Sequence, residues 1–344
     1  MLAGSREVGY LWEPMNPNHD PGLFEVAAEF PNTYIPDHDI AMYEAAFRNL
    51  LKFRYSPLAS IARRRSLHDI KIALLFTAYH FRYRAERRRP LLKDPFALFS
   101  AEWIADRFNA QVVVVARHPA AFVNSLVKAN WRYPFVHFLK QPRLIEDHLS
   151  LFRPDIERMV RQGDDIVGEG VLLWRITHHV IERYRRTRPD WLYVRHEDLS
   201  RDPVRCFAPM FGHLGIDYTR RIQRFIDRRT RPGNPIERTG ETWPAYAPLD
   251  SRSNVDRWAT RLSRQDIARV KEGTVDVWPH FYAERDWSAQ VPLPGLAPAR
   301  EIEADQLAVL MDHEGAEPQS RLSEPVRRNS SWPPGHLAER SPGE

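Results

Sequence analysis

Arg117 and Ser125 are the residues whose types and spacing point most directly to chemistry. The arginine follows Val112–Ala116, a short apolar run of strand type, and precedes His118-Pro119 and the apolar-periodic stretch Ala120–Asn130. That order reads as a buried strand, a tight turn and a helix with proline in its first turn. In open parallel sheets, ligands bind just outside the carboxyl ends of the strands. The start of a helix adds unpaired N–H donors and partial positive charge. A guanidinium matches two phosphate oxygens at once, and Ser125, eight residues on, can donate a hydroxyl. The pattern predicts a phosphate site. The plainer alternative is an arginine that caps a sheet edge. Lys128, one turn after Ser125, is a further candidate or simply a surface lysine.

Other chemistries find no support. The 14 histidines show no HExxH or other metal spacing, so no metal site is expected, and His178-His179 reads as packing or surface. No G-x-S-x-G elbow is present, which argues against a hydrolase of that type. No G-x-x-x-x-G-K-[ST] loop is present, which argues against an ATP-driven P-loop enzyme. The single cysteine, Cys206, excludes an internal disulfide framework and fits a reducing, cytoplasmic setting.

The elements that would position Arg117 and Ser125 follow from hydrophobic periodicity. Ile70–Phe81 reads as a buried helix with Ile70, Leu74, Leu75, Ala78 and Phe81 on one stripe. Ser100–Phe108 reads as a helix, and Gln111–Ala116 as a parallel strand covered on both faces. Gly170–Arg185 and Val204–Leu214 read as helices, with a short strand at Trp191–Arg195. Strand–helix alternation of this kind predicts an α/β fold around a parallel sheet.

The chain has 344 residues, 43% hydrophobic and 28% charged, an ordinary globular balance. The five-residue run Val112–Ala116 is far short of the ~20 apolar residues of a membrane helix, and Met1–Gly9 has no signal-peptide core. Ser288–Glu344 holds 5 Lys/Arg against 9 Asp/Glu and 8 of the 28 prolines. It is read as a mostly disordered tail in which only Glu301–His313 has helical potential, with Leu307, Leu310 and Met311 on one side. The first 287 residues carry 45 Lys/Arg against 36 Asp/Glu, a basic body that suits an anionic partner. Arg63–Arg65, Arg82, Arg84 and Arg87–Arg89 concentrate that charge. They read as a solvated face, with an acidic-acceptor surface or a nucleic-acid patch as alternatives.

Several of these residues stand in motifs that resemble the sulfotransferases using 3′-phosphoadenosine 5′-phosphosulfate. Leu91-Leu-Lys93-Asp94-Pro95-Phe96, then Val112–Arg117-His-Pro-Ala-Ala-Phe-Val-Asn-Ser125, then Tyr193-Val-Arg-His196-Glu197-Asp198-Leu199 occur in the family's order. Asp250-Ser-Arg252-Ser253-Asn-Val-Asp-Arg257-Trp258 resembles the late basic segment that closes over the nucleotide. The resemblance runs over roughly residues 5–287 and is strongest to bacterial enzymes related to tyrosylprotein sulfotransferases. It implies a three-layer, P-loop-like α/β fold with a central parallel sheet. It implies that Arg117 and Ser125 hold the 3′-phosphate, that His196 lies near the adenine, and that Arg252, Ser253 and Arg257 contact the nucleotide. It makes Glu13 the base that deprotonates an acceptor hydroxyl and Lys93 the group that meets charge on the leaving oxygen. The bland readings are a surface carboxylate beside Pro14 and a loop lysine paired with Asp94.

The family's Ser-Gly-Thr type loop for the 5′-phosphosulfate, with the strand before it, has no counterpart here, since only twelve residues precede Glu13. The expectation is a sulfotransferase-like domain over 1–287 that lacks the first strand, with an upstream start codon as one explanation. The alternative is a non-catalytic remnant that binds a nucleotide or polyanion. The acceptor class (carbohydrate, lipid, small metabolite or protein tyrosine) is open. Trp131–Asp147 and Trp243–Tyr246 are candidate linings for its cleft. No nucleic-acid partner and no membrane span are expected.

Overall fold

The computed structural model describes residues 1–26, 28–62, 67–236 and 248–288. Four short strands lie in two parallel pairs. β1 (Val8–Trp12) pairs with β2 (Arg89–Lys93), with Val8 opposite Arg89 and Trp12 opposite Lys93. β3 (Val113–Ala116) pairs with β4 (Leu192–Arg195), with Val113 opposite Leu192 and Ala116 opposite Arg195. Helices make up most of the rest. Before β2 come α1 (Ile40–Leu50), α2 (Pro57–Ala62) and α3 (Leu67–Ala85). α4 (Ala101–Phe108) joins β2 to β3. Between β3 and β4 lie α5 (Pro119–Ala129), α6 (Val136–Leu139), α7 (Pro142–Leu144), α8 (Arg153–Gln162) and α9 (Ile166–Thr187). After β4 come α10 (His196–Arg201), α11 (Pro203–His213), α12 (Arg220–Thr230), α13 (Ser251–Asn254), α14 (Trp258–Arg261) and α15 (Arg264–Gly273).

The local chemistry explains these boundaries. Asp39, Asp165, Asp202, Thr219 and Ser263 each accept a backbone N–H at the start of a helix. Asn109 and Asn130 end α4 and α5 in the left-handed conformation, which asparagine tolerates better than most residues. β3 packs its Val114 into the largest core cluster, which also takes in Leu126 of α5 and Leu172, Ile176 and Tyr184 of α9. A second cluster holds Leu11, Phe24, Phe47 and Tyr83 around β1, α1 and α3. The beginnings of all four strands meet α11 and α12 in a third, through Val8, Leu91, Val113 and Leu192.

The fold is thus mixed α/β with parallel pairing, mostly helical. β2 and β3 are not hydrogen-bonded to each other. Their starts are joined through side chains, where Arg89 donates to Gln111 Oε1 at 2.6 Å. Coverage of β3 on both faces is not observed, because Val115 remains 47% exposed. The α11 cluster shelters Val113 and does not reach Val115.

A second correction concerns α3. The expected buried stripe faces outward, with Ile70, Leu74 and Phe81 at 36%, 59% and 73% exposure. Ala73, Phe76, His80 and Tyr83 are buried instead. His80 stacks on Tyr55, while Phe76 meets Tyr55 and Tyr83 meets Phe53 edge-on, so an aromatic face outcompetes an aliphatic one for the core. The two strands β1 and β2 were not anticipated. Among the described residues, no helix is long and apolar enough to cross a membrane. Arg63–Arg65, Trp243–Tyr246 and the tail beyond Ser288 lie outside the described residues.

Candidate functional site

At the carboxyl end of β3, the chain turns through Arg117 and His118 into α5. The turn is held by four contacts. His178 of α9 accepts the Arg117 N–H at 3.3 Å, and Trp174 Nε1 donates to the Arg117 carbonyl at 2.8 Å. Glu197, just past β4, accepts the His118 N–H at 3.0 Å. The other oxygen of Glu197 accepts the Tyr282 hydroxyl at 3.0 Å. Glu197 therefore ties together the ends of β3 and β4 and the C-terminal segment of the described chain. Burial raises its pKa, and the His118 N–H is the first of the groups that oppose the rise.

The Arg117 side chain is left without a partner in this frame. Its Nε is buried and has no hydrogen-bond partner among the described residues. Desolvation is the main influence on the guanidinium and pushes its pKa down, with Glu197 and Tyr282 acting in the other direction from a distance. A half-buried guanidinium whose Nε lacks a hydrogen bond is costly, and an incoming anion relieves that cost. The start of α5 beside it carries no side-chain cap, and its first residues Pro119, Ala120 and Ala121 are buried. Its free N–H groups and dipole favour the same charge.

Aromatic rings form one wall. The His118 imidazole stacks on Trp258 at 5.0 Å, with Tyr282 at 5.0 Å and Trp287 at 4.5 Å edge-on. Desolvation pushes His118 down to about 3, so the ring is neutral. Neither ring nitrogen has a hydrogen-bond partner. His178 is likewise pushed down to about 3 by burial.

Ser125 sits two turns along α5, where its hydroxyl donates to the Phe122 carbonyl at 2.6 Å. The hydroxyl must rotate off that carbonyl to donate elsewhere. His196 opens α10. Its pKa is lowered by desolvation first and by Arg117 second, an effect moderated by water because 45% of its side chain is open. α13 approaches α10 through Ser251, which donates to the Ser200 carbonyl at 2.7 Å. Ser253 donates to Asp250 at 2.8 Å, and Arg252 is exposed beside it. Arg257 directly precedes Trp258, the stacking partner of His118. Arg117 and His196 therefore share the ends of β3 and β4, while the contact shown for α13 is with Ser200 in the last turn of α10. Lys128 faces solvent on the last turn of α5.

Glu13 and Lys93 meet at the other strand pair. Both lie just at the carboxyl ends of β1 and β2, and Lys93 Nζ donates to Glu13 Oε1. The Glu13 N–H also donates to the Lys93 carbonyl at 2.9 Å. Asn16 donates to the second carboxylate oxygen at 3.0 Å. Glu13 adopts a left-handed backbone with φ of 44°, a strained turn that these bonds hold in place. Lys93 keeps half of its side chain exposed, so the pair contributes no more than about 1 kcal/mol and opens readily. Asp94, which the sequence reading treated only as a neighbour, locks the two turns together. Its oxygens accept the N–H groups of Met15 at 2.6 Å and Phe96 at 2.8 Å. Desolvation raises its pKa to about 7.

Sequence reasoning missed Glu197, Tyr282 and the aromatic wall. His178, read as packing or surface, is packed under Trp174 and also holds the Arg117 N–H. No family model, no curated protein and no solved structure matches this chain.

Proposed function

We propose that this chain is a sulfotransferase that takes its sulfuryl group from 3′-phosphoadenosine 5′-phosphosulfate. The observation that carries the reading is the buried, unpartnered Nε of Arg117 at the end of β3, beside the uncapped start of α5. Arg117 and Ser125 bind the nucleotide 3′-phosphate, with His196 against the adenine and Arg252, Ser253 and Arg257 closing over it. An acceptor hydroxyl oxygen attacks the sulfur as the bond from sulfur to the 5′-phosphate oxygen breaks, an in-line displacement with a loose transition state. Glu13 takes the hydroxyl proton. Lys93 leaves its weak pairing with Glu13 and meets the charge that builds on the leaving oxygen.

A second reading, nucleotide binding without turnover, has one observation in its favour. None of the four strands is followed by a glycine-rich or Ser-Gly-Thr loop that could wrap a phosphosulfate; Glu13-Pro14, Asp94-Pro95, Arg117-His118 and His196-Glu197 follow them. Transfer of radiolabelled sulfate from the donor to a panel of phenolic, carbohydrate and tyrosine-peptide acceptors separates the two. Transfer that Glu13→Gln suppresses supports catalysis. Nucleotide binding with no transfer to any acceptor supports the second reading.

A further inference from the structure

The outward face of α3 and the corner where it ends match a segment of the same chain. Ile70, Leu74, Ala78 and Phe81 form one continuous stripe along α3, and nothing among the described residues covers it. Contiguous apolar surface of this kind marks a contact site. At the end of α3, Lys52, Arg54, Arg84 and Arg87 line a concavity of about 340 Å³ together with Arg88. No carboxylate lines it. Glu86 nearby is engaged by Arg88 at 2.5 Å. The carboxyl ends of α1 and α3 contribute only about −0.5 each at this corner, so about three positive charges remain in excess and repel one another.

Beyond Ser288, one stretch of the sequence pairs dense acidity with an apolar run of matching size. Residues 301–317 hold six Asp/Glu and no Lys or Arg, around Leu307, Leu310 and Met311. Thirteen chain steps separate Ser288 from Glu301, a reach of about 40 Å. That is most of the roughly 50 Å diameter of a body of this size, enough to carry the segment over a large part of the surface.

We propose that Glu301–Glu317 docks on α3 of its own chain, with Leu307, Leu310 and Met311 against Ile70, Leu74 and Phe81 and its carboxylates at the Arg84 and Arg87 corner. This contact is independent of the reaction the protein performs. It accounts for both the misplaced apolar stripe and the opposite charges of body and tail.

Disulfide trapping in the full-length chain tests it. In a Cys206→Ser background, Ala78→Cys is combined with Ala308→Cys in one protein and with Ser341→Cys in another. All these positions leave the proposed contact residues intact. Under diamide at low micromolar protein, the 78–308 pair is expected to close as a monomeric disulfide at least about 10-fold faster than the 78–341 pair, because docking raises the effective concentration. The advantage is expected to shrink with Arg84→Glu/Arg87→Glu and in about 0.5 M salt. Equal closure rates for the two pairs overturn the proposal. Covalent dimers in place of closed monomers also overturn it and assign the face to a second copy.

Discussion

His118 and His178 make the strand-end turn acid-sensitive, and the size of the effect follows from their burial. They are 2% and 4% exposed, and desolvation holds both down to about 3. His178 Nε2 accepts the Arg117 N–H, and its Nδ1 lies 3.1 Å from the Trp174 carbonyl. Protonation would set a second N–H against that of Arg117, beside a guanidinium. A histidine whose folded pKa lies below its unfolded value of about 6.5 stabilises the fold above pH 6.5 and loses that contribution as pH falls toward 3. Between pH 7.5 and 5.5 each histidine costs about 1.4 kcal/mol. Asp94 works in the opposite sense. With its pKa raised to about 7, its contribution is present below 3.8 and lost as pH rises toward 7, so the same acidification returns about 2 kcal/mol. His148 and His196, both pushed down to about 4, add to the histidine side, so the separate effects emerge in differences between each variant and the unmodified chain. His118→Phe keeps a ring against Trp258, Trp287 and Tyr282 and removes two nitrogens that lack partners. Urea unfolding followed by tryptophan fluorescence at several pH values is the assay. The stability of His118→Phe relative to the unmodified chain should grow by about 1.4 kcal/mol from pH 7.5 to 5.5. Asp94→Asn should instead lose about 2 kcal/mol relative to the unmodified chain over that interval, since the contribution that Asp94 returns on acidification is gone. Curves that stay parallel would refute the assignment of buried, neutral imidazoles.

Trp258→Ala removes the stacking wall of His118 and should cost about 3–5 kcal/mol in urea unfolding at pH 7.5. Tyr282→Phe deprives buried Glu197 of a hydroxyl donor and should cost about 1–3 kcal/mol. Lys93→Ala should change stability by less than about 1 kcal/mol, because the lysine side of its ion pair with Glu13 is half exposed. If the protein transfers sulfate, the same variant should slow transfer by about 10²-fold or more.

The parts of the fold that the sequence displayed are those where local propensity and burial agree. α5 begins at Pro119 and ends before Asn130 because proline fits a first turn and asparagine a left-handed cap, and both signals are in the letters. β3 stands out as a short β-branched run, and β4 as a short apolar and aromatic run that ends at Arg195. β1 and β2 do not, because Gly9 interrupts one and Pro90 the other, and their pairing is a long-range contact with no local mark. The stripe on α3 was assigned to the wrong side. Period alone finds two apolar faces there and cannot tell which one has neighbours. For the site, the strand-to-helix turn at Arg117 was legible in spacing, whereas Glu197 and Tyr282 reach it across 80 and 165 positions of chain and are visible only once the strands are paired.

Titration calorimetry with adenosine 3′,5′-bisphosphate tests the central claim most directly, with adenosine 5′-monophosphate as the comparison and Arg117→Ala as the variant. Tighter binding of the bisphosphate by at least about 10-fold, with that preference lost in Arg117→Ala, is the result expected of a guanidinium that grips the ribose 3′-phosphate. Equal affinity for the two nucleotides, or an undiminished preference in the variant, would contradict it.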